Sequence, residues 1–416
     1  MSHAFNRMKT QQRTIANPKT ASIGEREKSR SEFRLSKNRG AKRTKVLVLF
    51  GTRPEVIKLA PVISQLKSAK SNFETVVVSS GQHADLILSF IELFKIKINH
   101  DLCVMRRNQT LNAVYSRVLT AFDKILEIEK PDIVLVQGDT TTALAGAMAA
   151  FHRGIAVGHV EAGLRSGSAQ SPFPEEMNRR LVSQLAAFHF AATRFNRETL
   201  INEGISAHQI FVTGNPVVDA LETIRKKAPK KSEIGKLLAE TKNLKRILLT
   251  THRRESFGAA MSENLCILRE FIEKNADTCL FFPVHPNPAV KQVAAQIFKN
   301  NERIFLLEPL SYADFVQTMA NAWLVVSDSG GVQEEAPSLG KPLLILRENT
   351  ERPEAIAANV AKLIGGSPQK LAELLEENYL DESWTNSVKQ IENPFGDGHA
   401  AEKIVKILES QFAAVK

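Results

Sequence analysis

The chain has 416 residues, 43% of them apolar, and it contains no apolar run long enough to span a membrane. This length and composition are typical of a soluble globular protein with room for two hydrophobic cores. The net charge of +10 comes mostly from residues 1–43, which carry +9, whereas the rest of the chain is almost neutral. We therefore expect neither nucleic acid nor a membrane as a partner.

Residues 1–43 form a basic leader with few apolar residues and no periodicity, a composition that predicts disorder. The leader lacks the apolar core of a secretory signal. Its Arg-rich, Ser-rich and acid-poor composition is shared with organelle transit peptides. A solvated tail or a misassigned start codon is the simpler interpretation, and we set the leader aside from the fold.

The three cysteines, Cys103, Cys266 and Cys279, are widely spaced along the chain. They are too few and too scattered for a disulfide framework or a zinc site. A reducing cytoplasm therefore fits best, and no metal site is expected.

Strands and helices alternate from residue 44 onward. Short apolar segments predict strands, and longer amphipathic segments between them predict helices. The first half has predicted strands at 45–50, 74–79, 133–137 and 156–160, and predicted helices at 54–67, 84–93 and 111–128. This alternation is typical of right-handed βαβ units around a buried parallel sheet.

The same pattern restarts after Gly214-Asn215-Pro216, beyond a lysine-rich connection. The predicted strands of the second half are 246–251, 279–284, 304–307, 323–327 and 342–346, and a last helix is predicted at 400–412. The fold class is therefore α/β, with two Rossmann-like domains facing a cleft. We expect the leader at 1–43, the first domain at 44–215, the second at 216–392 and a C-terminal helical segment at 393–416.

Neither half contains a G-x-G-x-x-G run after a strand, so the dinucleotide fingerprint is missing. We expect no cofactor. Ligands of open α/β sheets bind beyond the carboxyl ends of the strands, which makes the polar residues after each apolar run the candidates for a site.

We call the polar residues that follow a predicted strand a corner, and the first corner follows the first predicted strand. Thr52 and Glu55 have the spacing of a capping box, and Pro54 suits the first helical turn. Arg53 would lie beside a helix N-terminus, where backbone amides already favour an anion. An ordinary helix cap with a solvated arginine is the alternative.

Three carboxylates stand at neighbouring corners of the first half. Asp139 and Glu161 follow two successive predicted strands, and Glu175 opens a helix after two prolines. Each has a structural alternative, since Asp139 could cap a helix and Glu175 could satisfy a helix dipole. Together with Arg165 and Arg179, however, they form a cluster of charged side chains. In such a cluster the pKa values of neighbouring carboxyl groups are moved apart, so that one can act as an acid and another as a base.

The second half offers groups that complement an anion. Ser329-Gly330-Gly331 follows a strand, and these small residues would let a phosphate approach the amides of a helix start. Glu335, one turn later, could accept both hydroxyls of a ribose. His252, followed by two arginines, closes another strand and could reach a phosphate. Glycines also serve tight turns, so Ser-Gly-Gly alone is weak evidence.

Taken together, these stretches resemble the non-hydrolysing UDP-N-acetylglucosamine 2-epimerases, two-domain proteins of the glycosyltransferase-B type. The resemblance runs from about residue 45 to 408. It is carried, in order and spacing, by GTRPEVIK, GDTTT, HVEAGLRSG, PFPEEMNR, TGNPVVDA, THRRESFG, DSGGVQEEAP and ERPE.

The resemblance implies roles for individual residues. Asp139, Glu161 and Glu175 match the catalytic carboxylates of that family, and His252 matches its histidine near the diphosphate. Lys58 could equally be a solvent-facing lysine. The substrate contacts implied are Arg53, Lys58, Arg179, Phe315, which falls where the family packs the uracil, Ser329, Gly330, Gly331, Glu335 and Arg352. A UDP-sugar is the expected partner, and a homodimer is expected because family members are commonly dimers.

One departure from the family concerns regulation. Gln82-His83 is followed here by Ala84 and Asp85, where the family commonly has arginine after Gln-His. In bacterial members this region belongs to a second substrate site that activates the enzyme, and the departure leaves both the retention and the loss of that control open.

The reaction that the resemblance implies is epimerisation at C2 of UDP-N-acetylglucosamine. The C2 proton is not adjacent to a carbonyl, and oxidation of a neighbouring carbon would need the missing nicotinamide site. Elimination of UDP to a 2-acetamido glycal, followed by re-addition, remains. The alternatives are a hydrolysing epimerase that releases UDP and ManNAc, a glycosyltransferase of the same architecture, and a catalytically silent nucleotide-sugar sensor.

Overall fold

The computed structural model describes residues 43–69, 72–82, 84–106, 108–226, 232–251 and 259–413. Two of the predicted features, the basic leader up to residue 42 and the segment 252–258 with His252, lie outside these ranges.

The first sheet is built from the strands in the first half of the chain. Its strands are β1 (Thr44–Phe50), β2 (Phe73–Ser79), β3 (His100–Asp101), β4 (Ile133–Gln137), β5 (Ala156–Ala162), β6 (Phe188–Ala191) and β7 (Ile210–Val212). Their order is β3-β2-β1-β4-β5-β6-β7, and all neighbours are parallel. The helices of this half are α1 (Arg53–Ser68), α2 (Ala84–Phe94), α3 (Leu111–Glu129), α4 (Thr141–His152), α5 (Glu175–Leu185) and α6 (Arg194–Asn202).

The second sheet repeats the same winding. Its strands are β8 (Lys245–Thr250), β9 (Thr278–Pro283), β10 (Ile304–Leu307), β11 (Leu324–Ser327), β12 (Leu343–Ile345) and β13 (Ala361–Leu363), in the parallel order β10-β9-β8-β11-β12-β13. The helices that follow the first sheet are α7 (Pro216–Arg225), α8 (Glu233–Glu240), α9 (Ala259–Lys274), α10 (Pro288–Ile297), α11 (Tyr312–Ala320), α12 (Gly330–Ser338), α13 (Pro353–Ala357), α14 (Pro368–Leu380), α15 (Ser383–Ser387) and α16 (Ala400–Ala413).

Burial explains why the apolar runs form strands. The five residues of β4 and the seven of β5 are all buried, as expected for central strands covered by helices on both faces. Polar residues at the helix starts fix where the helices begin. The Thr140 hydroxyl accepts a hydrogen bond from Ala143 N at 3.0 Å, and Asn215 Oδ1 accepts one from Val217 N at 3.2 Å, with Pro216 in the first turn.

Two helices connect the halves. Helix α7 packs against α1 beside the first sheet and against α11 and α12 beside the second. Helix α16 packs against α1 and α7. The Asp219 carboxylate of α7 accepts hydrogen bonds from Ala401 N at 2.9 Å and Ala400 N at 3.2 Å, and so it satisfies two amides at the start of α16.

The predicted α/β class with two parallel sheets is confirmed. The strands that the sequence analysis did not assign are short and mostly at sheet edges: β3, β6, β7 and β13. Across the described ranges, no helix combines the length and apolar character needed to cross a bilayer.

Candidate active site

The polar corners lie at the switch points of the two sheets. In the first sheet β1 and β4 are neighbours whose connections run to opposite sides, so Arg53 after β1 and Asp139 after β4 flank the crevice between them. In the second sheet β8 and β11 have the same relation, with Thr251 and Ser329 at their ends. Switch points are where open α/β sheets bind ligands.

Glu55 organises the start of α1. Its Oε2 accepts hydrogen bonds from Thr52 N at 2.7 Å and Gly51 N at 3.0 Å, and its Oε1 accepts one from the Thr140 hydroxyl at 2.8 Å. Complete burial raises the pKa of Glu55 to about 7. The predicted capping box is confirmed in that Glu55 accepts a hydrogen bond from the Thr52 amide. The same carboxylate also links the residues after β1 to those after β4 through its hydrogen bond from Thr140.

Glu161 occupies an unusual backbone position at the end of β5. Its φ is +65°, and the pairing of β5 with β6 shifts register between Val160 and Ala162. Positive φ is costly for a residue with a side chain and is typical of functional sites. An irregularity of this kind changes the direction of the side chain relative to that in a regular strand.

Three donors converge on the buried Glu161 carboxylate. Lys58 Nζ and Asn215 Nδ2, the latter at 2.9 Å, contact Oε1, and Gln137 Nε2 donates to Oε2. Burial alone would raise the pKa of Glu161, but the charges of Lys58 and Arg352 hold it below the usual value. Glu161 is therefore an ionised carboxylate at neutral pH.

Lys58 is buried, which is not what a solvent-facing lysine would show. Its ammonium pairs with Glu161 and, at 3.1 Å, with Glu334 of α12. Glu334 in turn accepts a hydrogen bond from Arg352 Nε at 2.6 Å. A buried line of alternating charges results, in the order Glu161, Lys58, Glu334, Arg352, Glu351 and Arg347.

Asp139 is held from two sides. Its carboxylate pairs with Arg179, and its carbonyl accepts a hydrogen bond from Asn178 Nδ2 at 2.8 Å. The Asp139 side chain keeps 27% of its surface exposed, so it can still meet a ligand. Arg179 is buried and is also bound by Glu176 at 3.2 Å. A fully buried carboxylate, Glu176, thus sets the guanidinium that faces Asp139.

Glu175 is the first residue of α5, as predicted, and it is partly buried. The next residue, Glu176, faces inward and also accepts hydrogen bonds from Ser166 N at 3.0 Å and Arg180 Nε at 2.9 Å. Glu175 is the predicted catalytic candidate, whereas no role was predicted for Glu176.

The start of α12 has the form expected of an anion site. Ser329 is its N-cap, and its hydroxyl makes no capping bond within the described structure. Gly330 lies against Arg352, because a Cβ there would be 2.8 Å from Nη1 of the guanidinium. The same position at Gly331 would be 4.0 Å from the nearest atom, the Ser329 hydroxyl. Arg352 therefore stands beside the amides of the helix start.

Glu335 lies one turn into α12 and accepts a hydrogen bond from the Tyr312 hydroxyl at 2.8 Å. Burial raises the pKa of Glu335 to about 7, against the opposing effects of that hydrogen bond and of the charge of Arg53. Arg53, exposed at the start of α1, is therefore within electrostatic reach of the second half. Phe315 lies one turn after Tyr312 on α11 and is partly buried.

The structure brings most of the predicted residues to one region. Asp139, Glu161 and Arg179 lie at the end of the first sheet, while Glu335 and Arg352 lie at the end of the second, joined through Lys58. His252 lies outside the described residues, but the preceding Thr251 donates a hydrogen bond to Asp328 at 3.0 Å. In the described part of the chain, no group of three His, Cys, Asp or Glu side chains could hold a metal ion.

Several residues of the site were not predicted: Gln137, Glu176, Asn178, Asn215 and Glu334. Each stands within or next to a motif that was singled out. Their signal in the sequence is polarity at positions that the helical and strand patterns place inside. Glu334, for example, precedes Glu335 on α12, in which six residues are buried: Val332, Gln333, Glu334, Glu335, Ala336 and Pro337.

The chain is similar to known proteins over most of its length. The family profile described as UDP-N-acetylglucosamine 2-epimerase matches residues 65–409. A UDP-N-acetylglucosamine 2-epimerase of Salmonella typhimurium is 44% identical over 372 residues, which cover 88% of this chain and 98% of that relative.

Solved structures show the same similarity. The UDP-GlcNAc 2-epimerase of Neisseria meningitidis bound to UDP-GlcNAc is 40% identical, with a TM-score of 0.82 over 88% of this chain and 99% of that one. An S. aureus protein solved with UDP is 39% identical, with a TM-score of 0.82 over 89% and 97%. The architecture is accordingly of the glycosyltransferase-B type, and the chain belongs to the UDP-N-acetylglucosamine 2-epimerase family.

Proposed function

We propose that the protein interconverts UDP-N-acetylglucosamine and UDP-N-acetylmannosamine without hydrolysis, through elimination and re-addition of UDP. The observation that supports this most directly is the cluster of Asp139 and Glu161 at the first switch point, where Glu161 lies within electrostatic reach of Arg352 beside the start of α12. The Neisseria meningitidis relative was solved with UDP-GlcNAc, which supports a UDP-sugar as the substrate.

The chemistry follows from the position of the C2 proton. No carbonyl adjoins C2, so a base can remove that proton only as the bond from C1 to the diphosphate breaks. The products are UDP and a 2-acetamido glycal with a double bond between C1 and C2. UDP then adds back to C1 while a proton is delivered to the other face of C2. This sequence needs a base, an acid on the opposite face and a cationic cradle for UDP.

The carboxylates supply the proton transfers. Glu161 is ionised and already accepts three donors, so in this arrangement it can accept a proton but has none to give. Asp139 is the more exposed group and pairs with Arg179, which would stabilise its carboxylate between proton transfers. Glu175 opens the helix that carries Arg179 and is the third candidate. We propose that the acid and the base are drawn from these three groups.

Cations of both halves supply the cradle. Arg53 at the start of α1, Arg352 and the amides of Gly330 and Gly331 would bind the departing diphosphate, because a helix start and guanidinium groups both favour phosphate. We assign Glu335 to the ribose hydroxyls, Phe315 to the uracil and Lys58 to the support of Glu161. His252 is the further candidate for the diphosphate. Contacts from both halves would exclude water from the glycal.

The decisive experiment is incubation of the protein with UDP-N-acetylglucosamine in D₂O, followed by NMR of the sugar and the nucleotide. Deuterium at C2 of both epimers, with UDP still attached, is the expected result. Free ManNAc with stoichiometric UDP would instead identify a hydrolysing epimerase. Turnover that requires an added acceptor would identify a glycosyltransferase, and binding without turnover would identify a sensor.

A further inference from the structure

A histidine next to the site has no role in the chemistry described above. His159 is the fourth residue of β5 and is completely buried. Its Nε2 lies 2.8 Å from the carbonyl oxygen of Gly138, the residue between β4 and Asp139. An imidazole in the middle of a buried strand costs stability unless its polar atoms have hydrogen-bond partners. The Gly138 carbonyl is the partner of Nε2.

The direction of the bond is fixed by its acceptor. A carbonyl oxygen can only accept, so the proton resides on Nε2 of His159. Burial lowers the pKa of His159 to about 4, and the charges of Arg165 and Arg179 act in the same direction. The ring is therefore neutral at physiological pH, and its Nε2–H remains a hydrogen-bond donor to the Gly138 carbonyl.

The turn that His159 contacts carries Asp139. Gly138 has a φ of +68°, and its amide donates to the Val160 carbonyl at 3.0 Å. His159 binds the carbonyl of the same glycine, so both polar backbone groups of Gly138 are held by β5. The next peptide unit is held by Asn178 through the Asp139 carbonyl. Without the imidazole donor, the peptide plane between Gly138 and Asp139 would lose the hydrogen bond that fixes its orientation.

We propose that His159 is a positioning residue for Asp139, acting through the Gly138 carbonyl rather than on the substrate. This inference rests on the proposed function, and it takes Asp139 as one of the two groups that transfer the proton. Proton transfer tolerates little error in the position of the carboxylate, and a misplacement of about 1 Å costs on the order of 100-fold in rate.

The chain contains a matched control. His189 of β6 pairs in register with His159, is equally buried and is also held neutral, since burial lowers its pKa to about 3. Among the described hydrogen bonds, none joins His189 to Gly138 or Asp139. Substitution of either histidine therefore changes the same layer of the core, but only one substitution removes the donor to the turn.

The test compares His159→Met, His159→Gln and His189→Met in the full chain. UDP affinity is measured by calorimetry, C2 deuterium incorporation and its KM by NMR in D₂O, and stability by denaturant unfolding. We expect His159→Met to lower kcat on the order of 100-fold with UDP affinity and KM changed by less than about 3-fold. His159→Gln places an amide donor near the former Nε2 and should restore at least about a tenth of the wild-type rate, while His189→Met should keep it.

Each contrary result has a distinct meaning. Equal rate losses in His159→Met and His189→Met would show that both act only through core stability, and the proposal would be wrong. If His159→Met does not fold, a folded His159→Gln with less than about a tenth of the wild-type rate would overturn the proposal, and one with a higher rate would support it. A wild-type protein that incorporates no deuterium would remove the proposed function itself, and the role of His159 with it.

Discussion

Lys58 Nζ of α1 lies 3.1 Å from Glu334 Oε2 of α12, and this buried ion pair joins a helix of the first sheet to a helix of the second. Because Lys58 also pairs with Glu161, one ammonium supports a candidate catalytic carboxylate and a contact between the halves. Buried charges are tolerated only when each has a partner, so the loss of one member should affect both roles.

We expect Lys58→Met to destabilise the protein by about 3–5 kcal/mol, because two buried carboxylates would lose their shared cation. The pKa of Glu161, now held low by Lys58, should rise, so the acidic limb of the pH profile of C2 exchange should move to higher pH. Denaturant unfolding and the pH dependence of exchange measure the two effects. Lys67→Met changes a partly exposed lysine of the same helix and serves as the control. A pH profile of Lys58→Met that does not move would refute the link to Glu161.

Asp139→Asn should abolish C2 exchange while leaving UDP affinity within about 3-fold of wild type, since the amide cannot accept a proton. Arg179 would keep Glu176 as a partner at 3.2 Å, so the fold should survive. Exchange is followed by NMR and binding by calorimetry. Asp123→Asn, which alters an exposed carboxylate paired with Arg153, is the control. Loss of UDP binding in Asp139→Asn would mean that Asp139 is a structural residue.

Gly330→Ala should weaken UDP binding more than Gly331→Ala. The added methyl at Gly330 would lie 2.8 Å from Arg352 Nη1, whereas the methyl at Gly331 would have its nearest neighbour at 4.0 Å. Since Glu334 and Glu351 hold Arg352, the guanidinium cannot move aside without losing an ion pair. We expect about a 10-fold difference in Kd by calorimetry, which corresponds to about 1.4 kcal/mol. Equal losses of UDP affinity in the two variants would indicate that the methyl groups interfere with the phosphate directly rather than through Arg352.

Acid should destabilise the protein through the buried His159 and His189. Their folded-state pKa values are about 4 for His159 and about 3 for His189, against about 6.5 in the unfolded chain. Between these limits the unfolded state binds more protons than the folded state. The contribution of the two histidines to the free energy of unfolding is therefore fully present above pH 6.5 and decreases as the pH falls towards 4. Each histidine contributes about 1.4 kcal/mol per pH unit to that slope. Denaturant unfolding of His189→Leu from pH 7 to 4.5 should give a shallower slope than wild type, and an unchanged slope would contradict the prediction.

The predicted elements were most accurate where the pattern was strongest. The limits of β4 and β10 agree with the predicted strands, and α1 and α3 extend the predicted helices by one residue at one or both ends. The missed strand β6 has the sequence FHFA, in which a buried histidine interrupts the apolar run and no turn residue separates the strand from α5. The edge strands β7 and β13 have three residues each, too few to show a period.

The sequence predicted which corners form the candidate site, but it did not predict which side chains contact each other there. Sequence patterns placed Arg53, Asp139 and Glu161 after strands, and parallel strands bring such positions to one edge. They did not distinguish a solvent-facing Lys58 from a buried one, because the identity of a neighbour 103 residues away, Glu161, is not part of any local pattern. For the same reason Glu334 showed no sign of its position between Lys58 and Arg352.

The sequence by itself determined the alternation of elements, the helix starts and the polar corners, because these depend on residues within one or two turns of each other. Only the tertiary structure decided which charges share a partner, which carboxylate has a lowered pKa and which backbone carbonyl a buried histidine holds. These properties depend on burial and on distances between distant segments. The bulge at Glu161 illustrates the difference, since its positive φ is maintained by contacts from α1, β4 and the residue before α7 rather than by any preference of glutamate.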